Sequence, residues 1–258
     1  MEHDKIALFI GAHNDDCEYG TGGMTLLLRD HGYRCVFVNV SCRRIRSTRT
    51  PHDLENYKKY SDTRLIVEYD AQELRAAAIL GAKKIIMSER DDSLYICNND
   101  NIMALKRYIE EVDPSLVFMH WPKDNHSDHA EVSKATLKAL SFSAKGAEIF
   151  AFEAGPMQTM VYFYPDFYID ITGKMDQLEE SFMQFCQPTA NGDWLTIEKK
   201  KCALFRGHMS GYEYAEAYKI IKFPSGRGKS PILPKLLNEH FLWAGTDMYP
   251  WGSQYFQS

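Results

Sequence analysis

Short apolar runs alternate with longer segments of helical periodicity along the first two-thirds of the chain. The apolar runs predict strands at 6–10, 35–40, 84–87, 116–119, 148–152 and 167–171. Apolar residues at helical spacing predict helices between Gly23 and Gly32 and at 73–80, 102–112 and 130–140. Strands separated by helices of this size are typical of a parallel sheet that is covered on both faces. The sequence therefore predicts an α/β fold with a mostly parallel central sheet.

The composition is that of an ordinary globular protein. Of 258 residues, 45% are hydrophobic and 25% are charged, which argues against a disordered, collagenous or coiled-coil chain. The formal net charge of -5 gives no reason to expect a nucleic-acid partner. No apolar run reaches the roughly 18 residues of a membrane span, and the polar start does not suit a signal peptide. Six scattered cysteines without a C-x-x-C pair favour reduced thiols and a cytoplasmic protein.

One main domain is predicted over residues 1–222, followed by an extension over 223–258 that packs on the same domain. The sequence shows no internal repeat, low-complexity tract or clear linker. The extension is rich in proline, glycine and aromatic residues and is the least regular part of the chain.

Two polar clusters follow predicted strands directly. Residues 11–18 (GAHNDDCE) come after the first strand, and residues 120–129 (HWPKDNHSDH) come after the fourth. In open α/β sheets, ligands bind beyond the carboxyl ends of the strands, where the strand order reverses. If the sheet has the order 3-2-1-4-5, strands one and four are neighbours and both clusters meet in one crevice.

The chemistry of the two clusters suits a metal ion. His13 and Asp16, three residues apart on a turn, can converge on one ion, while His126 and His129 offer a third ligand from the other side. Asp15 is then a spare carboxylate that could take a proton from a metal-activated water. Such an arrangement suits metal-assisted hydrolysis of an amide or ester. A single cluster of this kind is most often a hydrogen-bonded loop, but two clusters at neighbouring strand ends favour a metal site.

A dinucleotide-binding turn is a second interpretation of the glycines in the first cluster. That fingerprint needs glycines at fixed positions after the strand. The chain has Gly11-x-His13-x-x-Asp16, which places side chains at those positions. We therefore reject a dinucleotide site.

Three segments resemble the PIG-L/LmbE-like zinc de-N-acetylases. Residues 12–23 (AHNDDCEYGTGG) look like the A-H-P-D-D-x-E-x-G-x-G-G signature of that family. Residues 124–130 (DNHSDHA) look like its D-x-H-x-D-H-x-A signature. Arg206-Gly207, with residues 211–218 (GYEYAEAY), is similar to its R-G-x-x-x-G-x-x-Y-A-E-A-F segment. The resemblance spans roughly residues 5 to 220.

The resemblance implies a Rossmann-like three-layer fold and zinc-dependent removal of an N-acetyl group from an amino sugar. Carried over by position, the zinc ligands are His13, Asp16 and His129. The substrate implied is a small N-acetylglucosamine-type sugar or sugar conjugate. A homo-oligomer is also expected, because members of this family often assemble.

The same resemblance assigns roles to the remaining polar residues. Asp15 would be the general base, and His126 would polarise the acetyl carbonyl and stabilise the oxyanion. Asp128 would orient a neighbouring histidine. Asn14 replaces the usual proline, and its side chain can itself hold a turn. Glu18 and the glycines at 20, 22 and 23 are expected to shape the turn and start the helix.

Substrate contacts are open to two interpretations. The basic run after the second strand could bind an anionic sugar conjugate or form a solvated loop: Arg43, Arg44, Arg46 and Arg49. Trp121, Tyr212 and Tyr214 could stack on a sugar ring or pack in the core. His208 could line the pocket or cap a helix. His120 is expected in the core or behind the ligands.

Two rival functions remain. A zinc-dependent amidase could use the same site on a non-acetyl or non-sugar amide. A catalytically silent module could bind metal or sugar only, although it would need neither Asp15 nor His126.

Overall fold

The computed structural model describes residues 5–40, 63–87, 95–143, 146–154, 162–185, 192–223 and 231–244. Within these residues the strands are β1 Ile6–Gly11, β2 Arg34–Asn39, β3 Ala82–Ile86, β4 Leu116–His120, β5 Glu148–Phe152, β6 Phe167–Asp170, β7 Ala215–Lys222 and β8 Phe241–Trp243. The helices are α1 Asp16–Asp30, α2 Thr63–Ile79, α3 Asn99–Val112, α4 Ser127–Phe142, α5 Met175–Phe182, α6 Gly192–Ser210 and α7 Ile232–Leu236.

The strands form one sheet in the order β3-β2-β1-β4-β5-β7-β6-β8. The first five are parallel, and β7, β6 and β8 continue the sheet as antiparallel neighbours. The first five strands therefore have the order 3-2-1-4-5, the order in which both polar clusters meet in one crevice. The order reverses between β1 and β4, so their carboxyl ends border the crevice in which α/β sheets bind ligands.

Helices cover both faces of the sheet, as the sequence predicts. One face packs against α1, α2, α5 and α6 around phenylalanines such as Phe9 and Phe118. The other face packs against α3 and α4 through aliphatic residues such as Leu8 and Val117. Phe9 and Leu8 are adjacent in β1 and fully buried on opposite faces, which is typical of a strand inside a three-layer sandwich.

The first helix begins earlier than its glycines suggest. We expected the helix to start after Gly22-Gly23, but α1 already begins at Asp16. The glycines lie inside the helix, where they allow close packing: a Cβ on Gly20 would lie 2.4 Å from the Phe152 ring, and one on Gly22 would lie 2.4 Å from Leu178 Cδ2. The expected role of the glycines as helix starters is therefore wrong.

The elements that follow β6 were not predicted. Helix α6 carries buried leucine and alanine on one side, yet it exposes Trp194, Ile197, Leu204 and Phe205 on the other. Apolar residues all round the helix remove the amphipathic pattern on which a sequence prediction depends. Strand β7 has polar residues buried in the sheet, among them Glu216.

The C-terminal extension contributes to the sheet. Strand β8 pairs with β6 at the sheet edge, and Leu233 and Leu237 are buried in the core. Glu148, at the start of β5, accepts hydrogen bonds from the first backbone N–H groups of α7, those of Ile232 and Leu233. A carboxylate there satisfies the free donors of the helix terminus.

The described ranges contain neither a helix that could span a membrane nor a disulfide. None of the described helices combines the length and apolar character required to cross a bilayer. The cysteines in these ranges, at 17, 35, 97 and 202, are free.

Candidate metal centre at the ends of β1 and β4

The pairing of β1 with β4 brings the two polar clusters together. Ile10 is in register with Met119, so both strands end at the same edge of the sheet. The turn after β1 carries His13 and leads into α1. The segment after β4 leads into α4, which carries His129 in its first turn. Residues more than 110 positions apart in sequence therefore share one crevice.

The side chains of His13, Asp16 and His129 converge. His13 Nδ1 lies 3.2 Å from His129 Nε2 and 3.5 Å from an Asp16 carboxylate oxygen. His129 Nε2 lies 3.3 Å from the other Asp16 oxygen. Ligand atoms bound tetrahedrally to zinc at about 2.0–2.2 Å are separated by roughly 3.3–3.5 Å. The donor set and its spacing therefore fit a zinc-sized ion.

Two more carboxylates hold the histidines from behind. Asp128 Oδ2 lies 3.1 Å from His13 Nε2, and Asp124 Oδ2 lies 2.9 Å from His129 Nδ1. Each imidazole thus has one nitrogen facing the shared centre and the other facing a carboxylate, as in many metal sites. The contact between Asp128 and His13 agrees with the orienting role expected of Asp128. Asp124 was given no role, although it opens the D-x-H-x-D-H segment.

His126 stands at the entrance to this cluster, half-buried. It occupies the N-cap position of α4, where its Nδ1 accepts a hydrogen bond from the backbone N–H of Asp128. A neutral imidazole that accepts through Nδ1 carries its proton on Nε2. The His126 ring centroid lies 4.7 Å from that of His13 and 4.5 Å from that of His129. These three histidines form a second possible metal-binding group.

His120 ends β4 and is fully buried behind the cluster. Its Nε2 lies 2.9 Å from Asp16 Oδ2 and 3.0 Å from the backbone nitrogen of Ala12, and its ring stacks on His129 at 4.0 Å. With Asp16 and His129 it forms a third possible group. Its position behind Asp16 matches the expectation of a core histidine.

Burial and nearby charges lower the pKa values of His120 and Asp16 and raise that of His129. Burial lowers the pKa of His120 to about 4. Burial also opposes the charged form of His129, but Asp16 and Asp124 outweigh it and raise the pKa of His129 to about 9. Burial opposes ionisation of Asp16, yet His129, His120 and His13 hold its pKa well below the usual range. Asp16 is therefore present as the carboxylate that a metal requires.

Asp15 lies at the N-cap position of α1, between the turn and the helix. Its side chain makes no capping hydrogen bond, while its backbone carbonyl accepts from the N–H of Tyr19 at 2.8 Å. The residue is half-buried, in contrast to its fully buried neighbours Asn14 and Asp16. The turn therefore leaves this residue partly exposed.

The residues proposed for substrate contact have different surroundings. Arg43, Arg44, Arg46 and Arg49 fall outside the described residues. Trp121 and Tyr212 are half-buried and pack against one cluster, which contains Phe163, Tyr168, Met209, Ala215, Ala217 and Ala244. His208 is exposed on α6, and no hydrogen bond or ion pair within the described ranges joins it to the histidines.

The third family-like segment supports the fold. Arg206 pairs with Glu153, which follows β5, through two hydrogen bonds of 2.7 and 2.6 Å. Glu216 accepts hydrogen bonds from the backbone N–H groups of Gly23 and Met24 in α1, both at 2.9 Å. These buried contacts attach α1 and α6 to the sheet.

Comparisons with known proteins agree with this architecture. A family model described as GlcNAc-PI de-N-acetylase (PIG-L) matches residues 8–140, just over half of the chain. The diacetylchitobiose deacetylase of Thermococcus kodakarensis is 26% identical over 230 residues, which cover 84% of this chain and 83% of that protein.

Solved structures share the fold at low sequence identity. The 4-carboxy-2-hydroxymuconate hydratase GalB from Pseudomonas putida KT2440 has a TM-score of 0.72 and 21% identity, covering 88% of this chain and 100% of its own. The N,N'-diacetylchitobiose deacetylase from Pyrococcus horikoshii has a TM-score of 0.63 and 20% identity, covering 84% of each chain. These structures show the fold. Because the family model matches just over half of the chain, the chain belongs to the GlcNAc-PI de-N-acetylase (PIG-L) family.

Proposed function

We propose that this protein is a zinc-dependent de-N-acetylase of an N-acetylglucosamine-type sugar or sugar conjugate. The observation that carries the proposal is the convergence of His13, Asp16 and His129 at separations of 3.2 to 3.5 Å. Family membership and the deacetylase relatives support the reaction class.

In this proposal, His13, Asp16 and His129 hold the metal. When bound, a divalent ion supplies Lewis acidity, which lowers the pKa of a water and polarises a carbonyl oxygen. Asp124 and Asp128 orient the two imidazoles through their outward nitrogens. The half-exposed Asp15 is the group beside this centre that accepts and returns protons.

The reaction divides between Asp15 and His126. Asp15 takes a proton from water as the water oxygen forms a bond to the acetyl carbon. His126 donates a hydrogen bond from Nε2 to the carbonyl oxygen, which gains negative charge as the bond forms. The C–N bond then breaks, and Asp15 returns its proton to the leaving nitrogen. The products are acetate and the free amino sugar.

The test is acetate release by the zinc-loaded protein from a panel of N-acetyl sugars and conjugates. Asp15→Asn should lower kcat by about 10²–10⁴-fold, because a general base contributes that much. Asp100→Asn, at an exposed position in the first turn of α3, is the matched control and should keep full activity.

Each contrary outcome identifies another function. Hydrolysis of non-sugar amides without acetate release from sugars would show an amidase. Zinc binding without hydrolysis of any amide would show a silent binding module. The panel also includes a hydration assay, because the fold likewise carries a hydratase. The cytoplasmic location and the homo-oligomer stay predictions.

A further inference from the structure

A lysine with a fully buried side chain lies next to the turn that carries His13 and Asp16. Lys84, on β3, donates hydrogen bonds to the backbone carbonyl of Asn14 and, at 2.7 Å, to Glu18 Oε1. Lysines are almost never fully buried unless paired. This one is paired with a carboxylate and with the peptide that lies between two candidate metal ligands.

A second carboxylate joins this contact from other elements. Glu73 Oε2, on α2, lies 3.7 Å from Lys84 Nζ and accepts a hydrogen bond of 2.6 Å from Asn39 at the end of β2. Burial opposes the charge of Lys84, but Glu18 and Glu73 outweigh it and raise its pKa. The ammonium group therefore stays charged, and a charged donor makes a stronger hydrogen bond to a carbonyl.

The turn has no comparable restraint from the side chain of Asn14. Its Nδ2 atom is buried without a hydrogen-bond partner, although the sequence suggested that this side chain could hold the turn. On the opposite side, the N–H groups of Ala12 and His13 donate to Asp16 Oδ2 at 2.9 and 2.7 Å. Lys84 thus supplies a hydrogen bond to the middle of the turn.

We propose that Lys84 is a positioning residue: its contact with the Asn14 carbonyl fixes the turn, and so sets the separation of His13 and Asp16 and the placement of Asp15. The inference rests on the proposed function, since it takes these residues as metal ligands and base. It adds a specific role for a β3 residue that contacts no reacting group.

Lys199 provides a matched comparison. It is also buried, and its Nζ donates to a backbone carbonyl of the same region, that of Tyr19, at 2.6 Å, and to one carboxylate, Glu216, at 2.7 Å. Its partners lie on α1 and β7, outside the turn itself. Loss of Lys199 removes one buried ion pair and loss of Lys84 removes two. Each loss also removes one hydrogen bond to a backbone carbonyl, but only Lys84 touches the turn.

The experiment measures Co²⁺ affinity, the visible absorption of bound Co²⁺ and urea unfolding for wild type, Lys84→Met and Lys199→Met. We expect Lys84→Met to weaken Co²⁺ binding by about 10–100-fold, as loss of a residue behind the ligands does, and to change the spectrum. Lys199→Met should lose stability but keep the spectrum and an affinity within about twofold of wild type. Equal affinities for wild type and Lys84→Met, or equal losses in both variants, would overturn the inference.

A second variant keeps the test valid if Lys84→Met fails to fold, because that substitution leaves the buried Glu18 without its partner. Lys84→Met with Glu18→Gln removes that charge and still lacks the donor to Asn14. Weak Co²⁺ binding by a folded double variant supports the inference, whereas wild-type affinity overturns it. Absence of Co²⁺ binding by the wild-type protein would instead contradict the proposed function itself.

Discussion

Asp124 bridges His126 and His129 at the start of α4. One carboxylate oxygen lies 2.9 Å from His129 Nδ1, and the other accepts the backbone N–H of His126 at 2.8 Å. The first contact selects the tautomer that leaves His129 Nε2 free to bind a metal. The second fixes the start of the helix on which both histidines depend.

Asp124→Asn should therefore weaken zinc binding by about 10–100-fold, because the amide keeps the shape but not the charge that supports His129. Competition with a chromophoric chelator measures the change. Asp100→Asn serves again as the control, and an unchanged affinity in Asp124→Asn would show that this contact does not support the metal.

Glu73 makes the stability of the protein depend on pH. Burial raises its pKa from 4.5 to about 7, so the folded state binds a proton more tightly than the unfolded state. Its contribution to stability is lost as pH rises from about 4.5 to about 7, by up to about 3 kcal/mol. Glu73→Gln should not show this pH-dependent loss of stability, because the titrating carboxyl group is absent.

Urea unfolding at pH 5 and pH 8 tests this prediction. Relative to wild type, Glu73→Gln should gain about 1–3 kcal/mol between pH 5 and pH 8. A difference between the two proteins that does not vary with pH would contradict the raised pKa of Glu73.

The sequence predicts the two polar segments that meet beyond β1 and β4, but not the buried residues of β3 and α2 that contact the first of them. His13 and Asp16 lie in one turn and His129 follows a strand, so their spacing could be read from the chain. Lys84 and Glu73 lie on separate elements, and their contact arises only when β3 and α2 pack beside the turn. A lysine is an exposed residue in most sequences, so nothing local marks Lys84 as buried.

At the scale of elements, the glycines of α1 decide how closely that helix approaches the sheet. A Cβ on Gly20 would lie 2.4 and 2.8 Å from two atoms of the Phe152 ring and 3.2 Å from the Glu153 carbonyl. Phe152 in turn packs against His120 at a centroid distance of 4.7 Å. Helix α1, which follows the turn with His13 and Asp16, thus packs directly against β5, the strand that carries Phe152.

Gly20→Ala should destabilise the protein by about 1–3 kcal/mol, because overpacking of a buried ring outweighs the gain in helix propensity. Chemical unfolding measures the loss. Gly173→Ala is the control, since a Cβ there would meet nothing within 4 Å. A Gly20→Ala protein as stable as wild type would show that α1 can move away without cost.

Elements with a clear apolar pattern were predicted, and those with a mixed pattern were not. The five parallel strands and the helix at 99–112 follow simple periodicity. Helix α4 begins at Ser127, before the predicted 130–140, because its polar first turn carries no apolar signal. Helix α2 begins at Thr63, ten residues before the predicted 73–80. The C-terminal strand β8 has only three residues, too few for any pattern to indicate it.

At the scale of the molecule, the sheet combines two parts. The parallel strands β1 to β5 border the crevice, and the antiparallel strands β7, β6 and β8 extend the sheet on one side. The candidate ligands come from both sides of the β1–β4 seam, so a bound ion would connect them. Binding of the proposed metal would therefore be coupled to folding, because the unfolded chain does not hold these residues together.

Zinc should raise the stability of the whole protein. At a free zinc concentration 100 times the Kd, the expected gain is about 2.7 kcal/mol. Thermal unfolding with zinc and with a chelator measures it, and His129→Ala should respond far less than wild type. An equal shift in both proteins would place the bound zinc elsewhere.

The pairing of β1 with β4 also bears on the order of events during translation. His13 leaves the ribosome more than a hundred residues before His129, and until α4 emerges the nascent chain holds only part of the candidate ligand set. The intervening strands and helices can form first, since their contacts are nearer in sequence. Loading of the proposed metal would therefore be a late step in the biosynthesis of this protein, coupled to the emergence of α4.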